Sequence, residues 1–359
     1  MHARVVPAIR RIGPFASVTE VLLIPSLDSW LATNIPGFTS PATATKFPGG
    51  QSNPTYRLEC GGRSFVLRRK PFGDLLPSAH AVEREYRLLE ALYPTDVPVP
   101  RPYALCEDST VIGAAFYVME LVEGRTLWDG ALPGMDQQDR RELYASMIDA
   151  LAALHSVDPG AVGLADFAPP GNNFGRQISR WSKQYRASQT DDLGNMERLI
   201  EWLPQTVPEQ TRTTIIHGDY RLDNLICAPD RPRIRAILDW ELATLGDPLS
   251  DLAYLLLNWV LPHAPGKATL GTLDLVELGI PTLSDAIERY CTASGRNEPP
   301  SLDWYFAFSL FRAVGIVQGI KKRMRDGNAS NPDAALLVAQ LPMLAAAGWD
   351  FARRAGAPR

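Results

Sequence analysis

Residues 215–227 read IIHGDYRLDNLIC. Apolar runs flank a polar centre, so the stretch reads as two short strands joined by a loop. That loop holds Asp219 and, five residues on, Asn224. Fifteen residues beyond Asn224, the apolar run AILDWE delivers Asp239, and the intervening APDRPR carries the turn residues of a hairpin. The three oxygen-bearing side chains are thus expected at the ends of strands lying side by side. Taken singly, each is a residue that loops use for turn hydrogen bonds. Their joint spacing, H-x-D-x-x-x-x-N followed by a strand-ending Asp, suits phosphoryl transfer. One carboxylate would accept a hydroxyl proton, while an amide and a second carboxylate hold magnesium against phosphates. Magnesium takes its other ligands from phosphate and water, so two protein oxygens suffice.

Outward from this loop the texture changes. Residues 17–35, SVTEVLLIPSLDSWLATNI, space apolar side chains at helix-like intervals. TYRLEC and SFVLRR are β-type runs joined by Gly61 and Gly62, a hairpin signal. SAHAVEREYRLLEALY reads as a helix and PTDVPVPRP as a Pro-rich connector; YALCED and AAFYVMELV are two further strands. Past residue 125 the pattern is mostly helical. The expected architecture is α+β and two-lobed. A small β-rich lobe with a helical lead-in spans 1–122, a short connector lies near 120–124, and a larger helical lobe with the catalytic loop, metal site and acceptor site spans 123–359.

Composition narrows the chemistry. With 359 residues the chain suits one large domain or two lobes, and its net charge of −4 argues against non-specific nucleic-acid binding. Cys60, Cys106, Cys227 and Cys291 are far apart and form no CxxC pair, which points to thiols in a reducing compartment. The histidines are equally scattered. MHARVVPAIRRIG has no apolar signal core. The run DLAYLLLNWVLP falls short of the roughly 20 residues that span a bilayer. The expectation is a cytoplasmic protein with no membrane partner.

HGDYRLDN together with LDWE resembles the aminoglycoside phosphotransferase and choline kinase branch of the protein-kinase-like fold. FPGGQSNPTY, FVLRRKP, HAVEREYRLL, FYVMELVEGR, LDWELATLGDPLSDLAY and FRAVGIVQGI are each similar to blocks of one subgroup, the kinase-like domain that in animals is fused to acyl-CoA dehydrogenase. The resemblance covers essentially the whole chain. It implies ATP- and magnesium-dependent phosphorylation of a small-molecule hydroxyl, and a functional link to an acyl-CoA dehydrogenase.

On that resemblance Asp219 is the base and aligner, and Asn224 and Asp239 are the magnesium ligands. Arg221 stands where protein kinases carry a catalytic-loop Lys, so it either touches the γ-phosphate or is a surface charge. Gly218 replaces the Arg that grips a phosphorylated activation loop, which argues against that mode of regulation. His217 is expected to pack under the loop. PGGQSN is placed as the phosphate-covering loop, with Gly49 and Gly50 allowing close backbone approach and Ser52 and Asn53 as donors. Arg68 takes the place of the α/β-phosphate cation. Strand alternation puts Val66 and Arg68 on one face and Phe65 and Leu67 on the other; Val66 would roof the adenine, and Arg69 or Lys70 would replace Arg68 if the strand bulges. Helical periodicity gives an inward stripe of Val82, Tyr86, Leu89 and Tyr93 that includes Glu85, the partner for Arg68, while Glu83 points to water. Glu120, Leu121 and Val122 would offer backbone groups to adenine, with Met119 walling the pocket. Asp247 fits as an N-cap before Pro248 as first helical residue. By analogy Asp251 anchors the catalytic-loop backbone, and Glu241 makes a supporting contact near the metal.

For the acceptor, an aminoglycoside is a polycation and calls for an acidic surface. Residues 303–330 are instead aromatic and apolar, then basic at Arg312, Lys321, Lys322, Arg323 and Arg325. RQISRWSKQYRAS adds Arg176, Arg180, Trp181, Lys183, Tyr185 and Arg186. That pattern suits an anionic, partly apolar acceptor such as a hydroxyacyl-CoA, unless the aromatics are core and the cations a solvated face. The alternatives are an aminoglycoside, amino-alcohol or sugar phosphotransferase, and a nucleotide-binding pseudokinase scaffold. A protein kinase ranks last, because the short path from LDWE to DLAY leaves little room for a peptide-binding segment.

Overall fold

Gly61 and Gly62, with φ of 52° and 76°, turn the chain back on itself in a two-residue hairpin that only glycine enters without strain. The hairpin strands belong to an antiparallel sheet in the computed structural model, which describes residues 25–47, 53–72, 81–169, 171, 173–297, 300–327 and 334–358. Helix α1 (Pro25–Asn34) precedes β1 (Thr43–Lys46), β2 (Thr55–Cys60) and β3 (Arg63–Arg69); helix α2 (Val82–Leu92), β4 (Pro102–Cys106) and β5 (Phe116–Glu120) follow. The sheet order is β1-β2-β3-β5-β4. Its two faces go to separate cores. Tyr56, Leu58, Phe65, Leu67, Phe116 and Val118 pack with Leu27 and Leu31 of α1, while Val66, Tyr117 and Met119 join Val82, Leu88 and Leu89 of α2 in the main core.

The buried stripe of α2 is Val82, Glu85, Leu88, Leu89 and Leu92. Tyr93, expected on this stripe, is 46% exposed at the C-terminal end of the helix, where its backbone is still helical. Glu83 is likewise not simply solvated: it is ion-paired with Lys70. Two arginines tie α2 to the large lobe. Arg84 donates to the carbonyls of Phe167 and Ala243 and lies 3.7 Å from the Phe167 ring centroid; Arg87 donates to the Gly163 carbonyl at 2.7 Å and pairs with Asp166.

Beyond the connector come β6 (Arg125–Thr126), α3 (Gln137–Ser156), α4 (Asn173–Ser188) and α5 (Gly194–Trp202). Strands β7 (Thr214–Ile216), β8 (Leu225–Cys227), β9 (Ile234–Ile237) and β10 (Thr244–Gly246) follow, then α6 (Leu249–Val260), α7 (Leu275–Leu278) and α8 (Leu283–Ser294). Helices α9 (Asp303–Arg325), α10 (Ala334–Val338) and α11 (Leu341–Arg354) complete the lobe. The short strands correct one expectation. β7 pairs with β10 and β8 pairs with β6 and β9, so the strand before Asp219 and the strand after Asn224 lie in different sheets. The expected hairpin is β8–β9, with Leu225 opposite Ile237.

Helix α9 is buried on most of its circumference. Phe306 meets Phe351 of α11 at 5.0 Å between centroids, and Phe174 of α4 packs edge-on against Trp304, Tyr305 and Phe308. Most aromatics of 303–330 are therefore core. The helical stretch Ala334–Arg354 is, by length and apolarity alone, able to cross a bilayer; here it packs through Leu341, Leu344 and Phe351 into the main core.

The connector ends at Gly124, where an added Cβ would stand 2.3 Å from Ile226 Cγ2 and 2.4 Å from the Cys227 carbonyl oxygen. Backbone cannot yield as a flexible side chain does, so Gly124→Ala must push β6 off β8. We expect it to lower unfolding free energy by about 1–3 kcal/mol, read as a fall in urea midpoint at unchanged slope.

Candidate active site

The loop quoted first is suspended from buried groups. Asp251, in the first turn of α6, accepts the N–H of His217 at 2.5 Å and that of Gly218 at 2.9 Å, one on each carboxylate oxygen. Behind it His155 Nε2 lies 3.5 Å from Asp251 Oδ2, and His155 Nδ1 lies 2.7 Å from the Tyr290 hydroxyl. Burial pushes the Asp251 carboxyl up, but hydrogen bonding and the imidazoles of His155 and His217 outweigh it and hold the group below its ordinary value. His217 is fully buried under the loop, with Nε2 2.8 Å from the Leu238 carbonyl and Nδ1 accepting the Asp219 N–H. Gly218 has a φ of 81°, and a Cβ there would meet the Leu242 carbonyl oxygen at 2.7 Å. No larger residue fits this turn.

Asp219 presents its carboxylate at the loop tip. Tyr254 donates to Oδ1 at 2.7 Å, and Asn224 Nδ2 donates to both Oδ2 at 3.0 Å and the Asp219 carbonyl at 2.9 Å. Burial and the Asp219 charge push the Tyr254 phenol up, so it remains a neutral donor. Each carboxylate oxygen keeps a further lone pair for an incoming hydroxyl. Asn224 uses its nitrogen on Asp219, leaving its amide oxygen as the side-chain atom suited to a hard cation. The Leu238 N–H donates to the Asn224 carbonyl at 2.8 Å, which brings Asp239 beside it. Asp239 adopts φ 64° and ψ 64°, a left-handed conformation that costs a non-glycine residue on the order of 1 kcal/mol or more. Oxygen donors on adjoining backbones fit a small divalent ion that takes its remaining ligands from phosphate and water. Among the described residues no cluster of three or more His, Cys, Asp and Glu side chains is suited to a metal.

Across the cleft Arg68 is 12% exposed. Its Nε lies 2.9 Å from Glu85 Oε2 without hydrogen-bond alignment, its Nη2 donates to Asp239 Oδ1 at 3.0 Å, and Glu241 Oε2 is 3.9 Å away. Burial alone would disfavour the guanidinium charge, and Glu85 foremost outweighs it, raising its pKa further. Burial pushes the Glu85 carboxyl up against the pull of Arg68 and of hydrogen bonds from Tyr117 at 3.0 Å and Asn53 at 2.8 Å. Asn53 thus lends its amide to Glu85 rather than to a ligand. Gly49, Gly50 and Ser52 lie outside the described residues. The strand does not bulge at Arg68: Arg69 faces the opposite core, bonded to Tyr56 and stacked on Phe72, and Lys70 is held by Glu83.

Met119 pairs with Val66 across β3 and β5, both at the cleft face. The Glu120 N–H is already donated to the Arg101 carbonyl at 2.8 Å. Leu121 and Val122 lie beyond the sheet, and among the described residues no backbone partner holds their N–H and C=O groups. The Glu120 N–H is therefore engaged, and the Glu120 C=O with the Leu121 and Val122 backbone groups are the ones open to a base. Arg221 forks onto Asp223 at 2.6 Å through Nε, a pairing that holds it at the loop surface. Two recesses of about 550 and 540 Å³ elsewhere are lined by none of Asp219, Asn224, Asp239 or Arg68.

Residues 43–281 match the phosphotransferase enzyme family. The chain belongs to that family. It is similar to mouse acyl-CoA dehydrogenase family member 10, at 43% identity over 98% of this chain and 33% of that protein. It is also similar to human acyl-CoA dehydrogenase family member 11, at 37% identity over 92% of this chain and 43% of that one. The chain therefore spans only a third to two fifths of these curated relatives. A putative aminoglycoside phosphotransferase from Ralstonia eutropha has the same fold, with a TM-score of 0.84 and 44% identity over 92% of this chain and 98% of the other. A complex of a thermostable mutant of aminoglycoside phosphotransferase APH(4)-Ia with AMP-PNP and hygromycin B shares the fold alone, at a TM-score of 0.56 and 15% identity over 90% and 99% of the two chains. As a member, the chain is a phosphotransferase with a two-lobed, protein-kinase-like α+β fold.

Tyr117, Tyr254, His155 and Tyr290 escaped the sequence reading. Only Tyr254 left a trace there: it is seven residues after Asp247 and three after Asp251, one face of a single helix. Asp247 itself accepts the Leu249 N–H at 2.9 Å and the Tyr305 hydroxyl at 2.8 Å, capping a helix that starts one residue later than expected.

A carboxylate depressed in the folded state contributes its full stability above its unfolded pKa of about 4, and loses that contribution as pH falls through the depressed value. At pH 7, Asp251→Asn should therefore cost about 2–3 kcal/mol. Urea titrations of both proteins should show the gap narrowing as pH drops below about 4.

Proposed function

We propose that this phosphotransferase moves the γ-phosphoryl group of ATP to the hydroxyl of a hydroxyacyl-CoA or similar anionic metabolite. The observation that carries the reading is the Asn224 amide. It holds the Asp219 carboxylate with its nitrogen, and its backbone carbonyl holds Leu238, so a proton acceptor and two oxygen ligands share one small junction. The nucleotide lies between the lobes, its base against Val66 and Met119 and bonded to the Leu121 and Val122 backbone. Arg68, steadied by Glu85, takes the α- and β-phosphates. Asn224 and Asp239 would hold Mg²⁺, which when bound would neutralise phosphate charge. Asp219 aligns the acceptor hydroxyl and takes its proton as the new O–P bond forms and ADP leaves. Arg221, paired with Asp223, shapes the loop surface near the γ-phosphate.

Support for the acceptor comes from the relatives, named as acyl-CoA dehydrogenase family members, and from the charge beside the loop: Arg312 donates to the Gly218 carbonyl at 2.9 Å, a poor neighbour for a polycation. A functional link to an acyl-CoA dehydrogenase and a cytoplasmic setting belong to the same proposal, as do lobe limits at 1–122 and 123–359. The Ralstonia eutropha relative favours an aminoglycoside acceptor as the second reading.

ADP release with magnesium-ATP, measured across 4-hydroxyacyl-CoAs, aminoglycosides and choline-like or sugar alcohols, separates these readings. We expect turnover with a hydroxyacyl-CoA, reduced about a hundred- to ten-thousandfold in Asp219→Asn with ATP affinity retained. Turnover confined to aminoglycosides would overturn the acceptor assignment. ATP binding without turnover of any acceptor would favour a pseudokinase.

A further inference from the structure

Of the nine cations on residues 176–186 and 303–325, four are tied away from the loop. Lys321 is paired with Asp191, Lys322 with Asp326 and Arg186 with Glu197, and Arg176 donates to the Pro169 carbonyl. Arg312 is different. Its Nη2 bonds the carbonyl of Gly218, the residue before Asp219, and its guanidinium lies 5.7–5.9 Å from the ring centroids of Tyr254, Trp181 and Phe308. Among the described residues it forms no ion pair with a carboxylate. Its Nε is buried with no acceptor.

Trp181 makes the second, independent observation. It is 7% exposed, and its indole Nε1, a donor with no acceptor capacity, is buried without a partner. Native proteins rarely leave such groups unmatched, because a buried unpaired donor loses its hydration and regains nothing. Here two unmatched donors belong to side chains in contact with each other, on facing helices α4 and α9. Tyr254 connects them to the chemistry, since its ring lies by Arg312 and its hydroxyl is bonded to Asp219.

We propose that Arg312 and Trp181 form an oxygen-reading subsite that sets acceptor specificity. It takes a carbonyl-type oxygen, from a carboxylate or a thioester, carried a few bonds from the hydroxyl that Asp219 engages. The arrangement selects by chemistry. A guanidinium and an indole N–H both donate and neither accepts, so they match an acceptor oxygen and reject an ammonium. A hydroxyl-bearing molecule that lacks such an oxygen leaves both donors unmatched, which is the circumstance in which a polar site discriminates most sharply. This inference rests on the acceptor reading above and narrows it to the two side chains that would enforce it.

The test uses three probes of matched chain length: a 4-hydroxy carboxylic acid, its CoA thioester and the corresponding alcohol with a methyl group in place of the carboxyl. Calorimetric binding in the presence of an ATP analogue is measured beside turnover for the native protein, Trp181→Phe, Arg312→Lys and Arg312→Gln. Trp181→Phe keeps an aromatic ring while removing the N–H together with part of the indole's bulk, so its effect is read beside those of the two Arg312 variants. We expect the native protein to bind the acid or the thioester at least about tenfold more tightly than the methyl-terminated alcohol. Trp181→Phe should lose part of that preference and Arg312→Gln about 10- to 100-fold of it, while ATP affinity holds. Arg312→Lys should retain more of the preference than Arg312→Gln. Preference for the thioester over the acid, or the reverse, identifies the source of the oxygen. Equal weakening for the methyl-terminated alcohol and the carbonyl-bearing probes would overturn the proposal and leave Arg312 as a brace for Gly218. A native protein that binds that alcohol as well as the others would overturn it too, whatever turnover shows. Failure of the kinase reading is read separately, as absent turnover with the binding preference intact.

Discussion

One guanidinium joins three parts of the chain that are far apart in sequence. Arg68, on β3, meets Glu85 of α2 and Asp239 after β9 within 3.0 Å. A buried carboxylate such as Glu85 is tolerable only with its charge matched and its lone pairs bonded. Arg68, Tyr117 and Asn53 provide that match, so the strand, the helix and the second strand of the sheet are positioned together. Because Asp239 draws on the same guanidinium, the pairing also sets the distance between lobes. The cost of burying these charges is therefore spent on alignment more than on net stability.

The other half of the site hangs from a single helix face. Asp247, Asp251 and Tyr254 recur at helical spacing on or just before α6, and each bonds a different partner: the Tyr305 hydroxyl, two backbone N–H groups of the loop, and the Asp219 carboxylate. A loop held by side-chain bonds to a core helix is more exactly placed than one held by its own turns. Gly218 completes the arrangement, since the loop passes so close to Leu242 that a side chain there is excluded.

Local signals carried much of this. The Gly61–Gly62 hairpin, the alternation that separates Arg68 from Phe65 and Leu67, the inward Glu85 and the β8–β9 turn are all short-range features, and periodicity exposes them. Pairings between distant segments were less legible. Nothing in the order of residues says that β7 partners β10 or that Asn53 turns to Glu85, because these choices are made by packing of the whole lobe. The acceptor side shows the same divide. Trp181 and Tyr185 are aromatic at helical spacing, which fits core and ligand wall equally. Both are buried in the main core, and only the three-dimensional neighbourhood shows that Trp181 also lies beside Arg312.

The two arginines of α2 bear on how the cleft moves. Arg84 and Arg87 fasten that helix to carbonyls and a carboxylate of the large lobe, while its apolar stripe packs against the sheet of the small one. The helix is thus mechanically shared. Any change in how the lobes are set therefore strains one of two sets of contacts: the arginine bonds on one side, or the apolar stripe with the Arg68–Glu85 pair on the other.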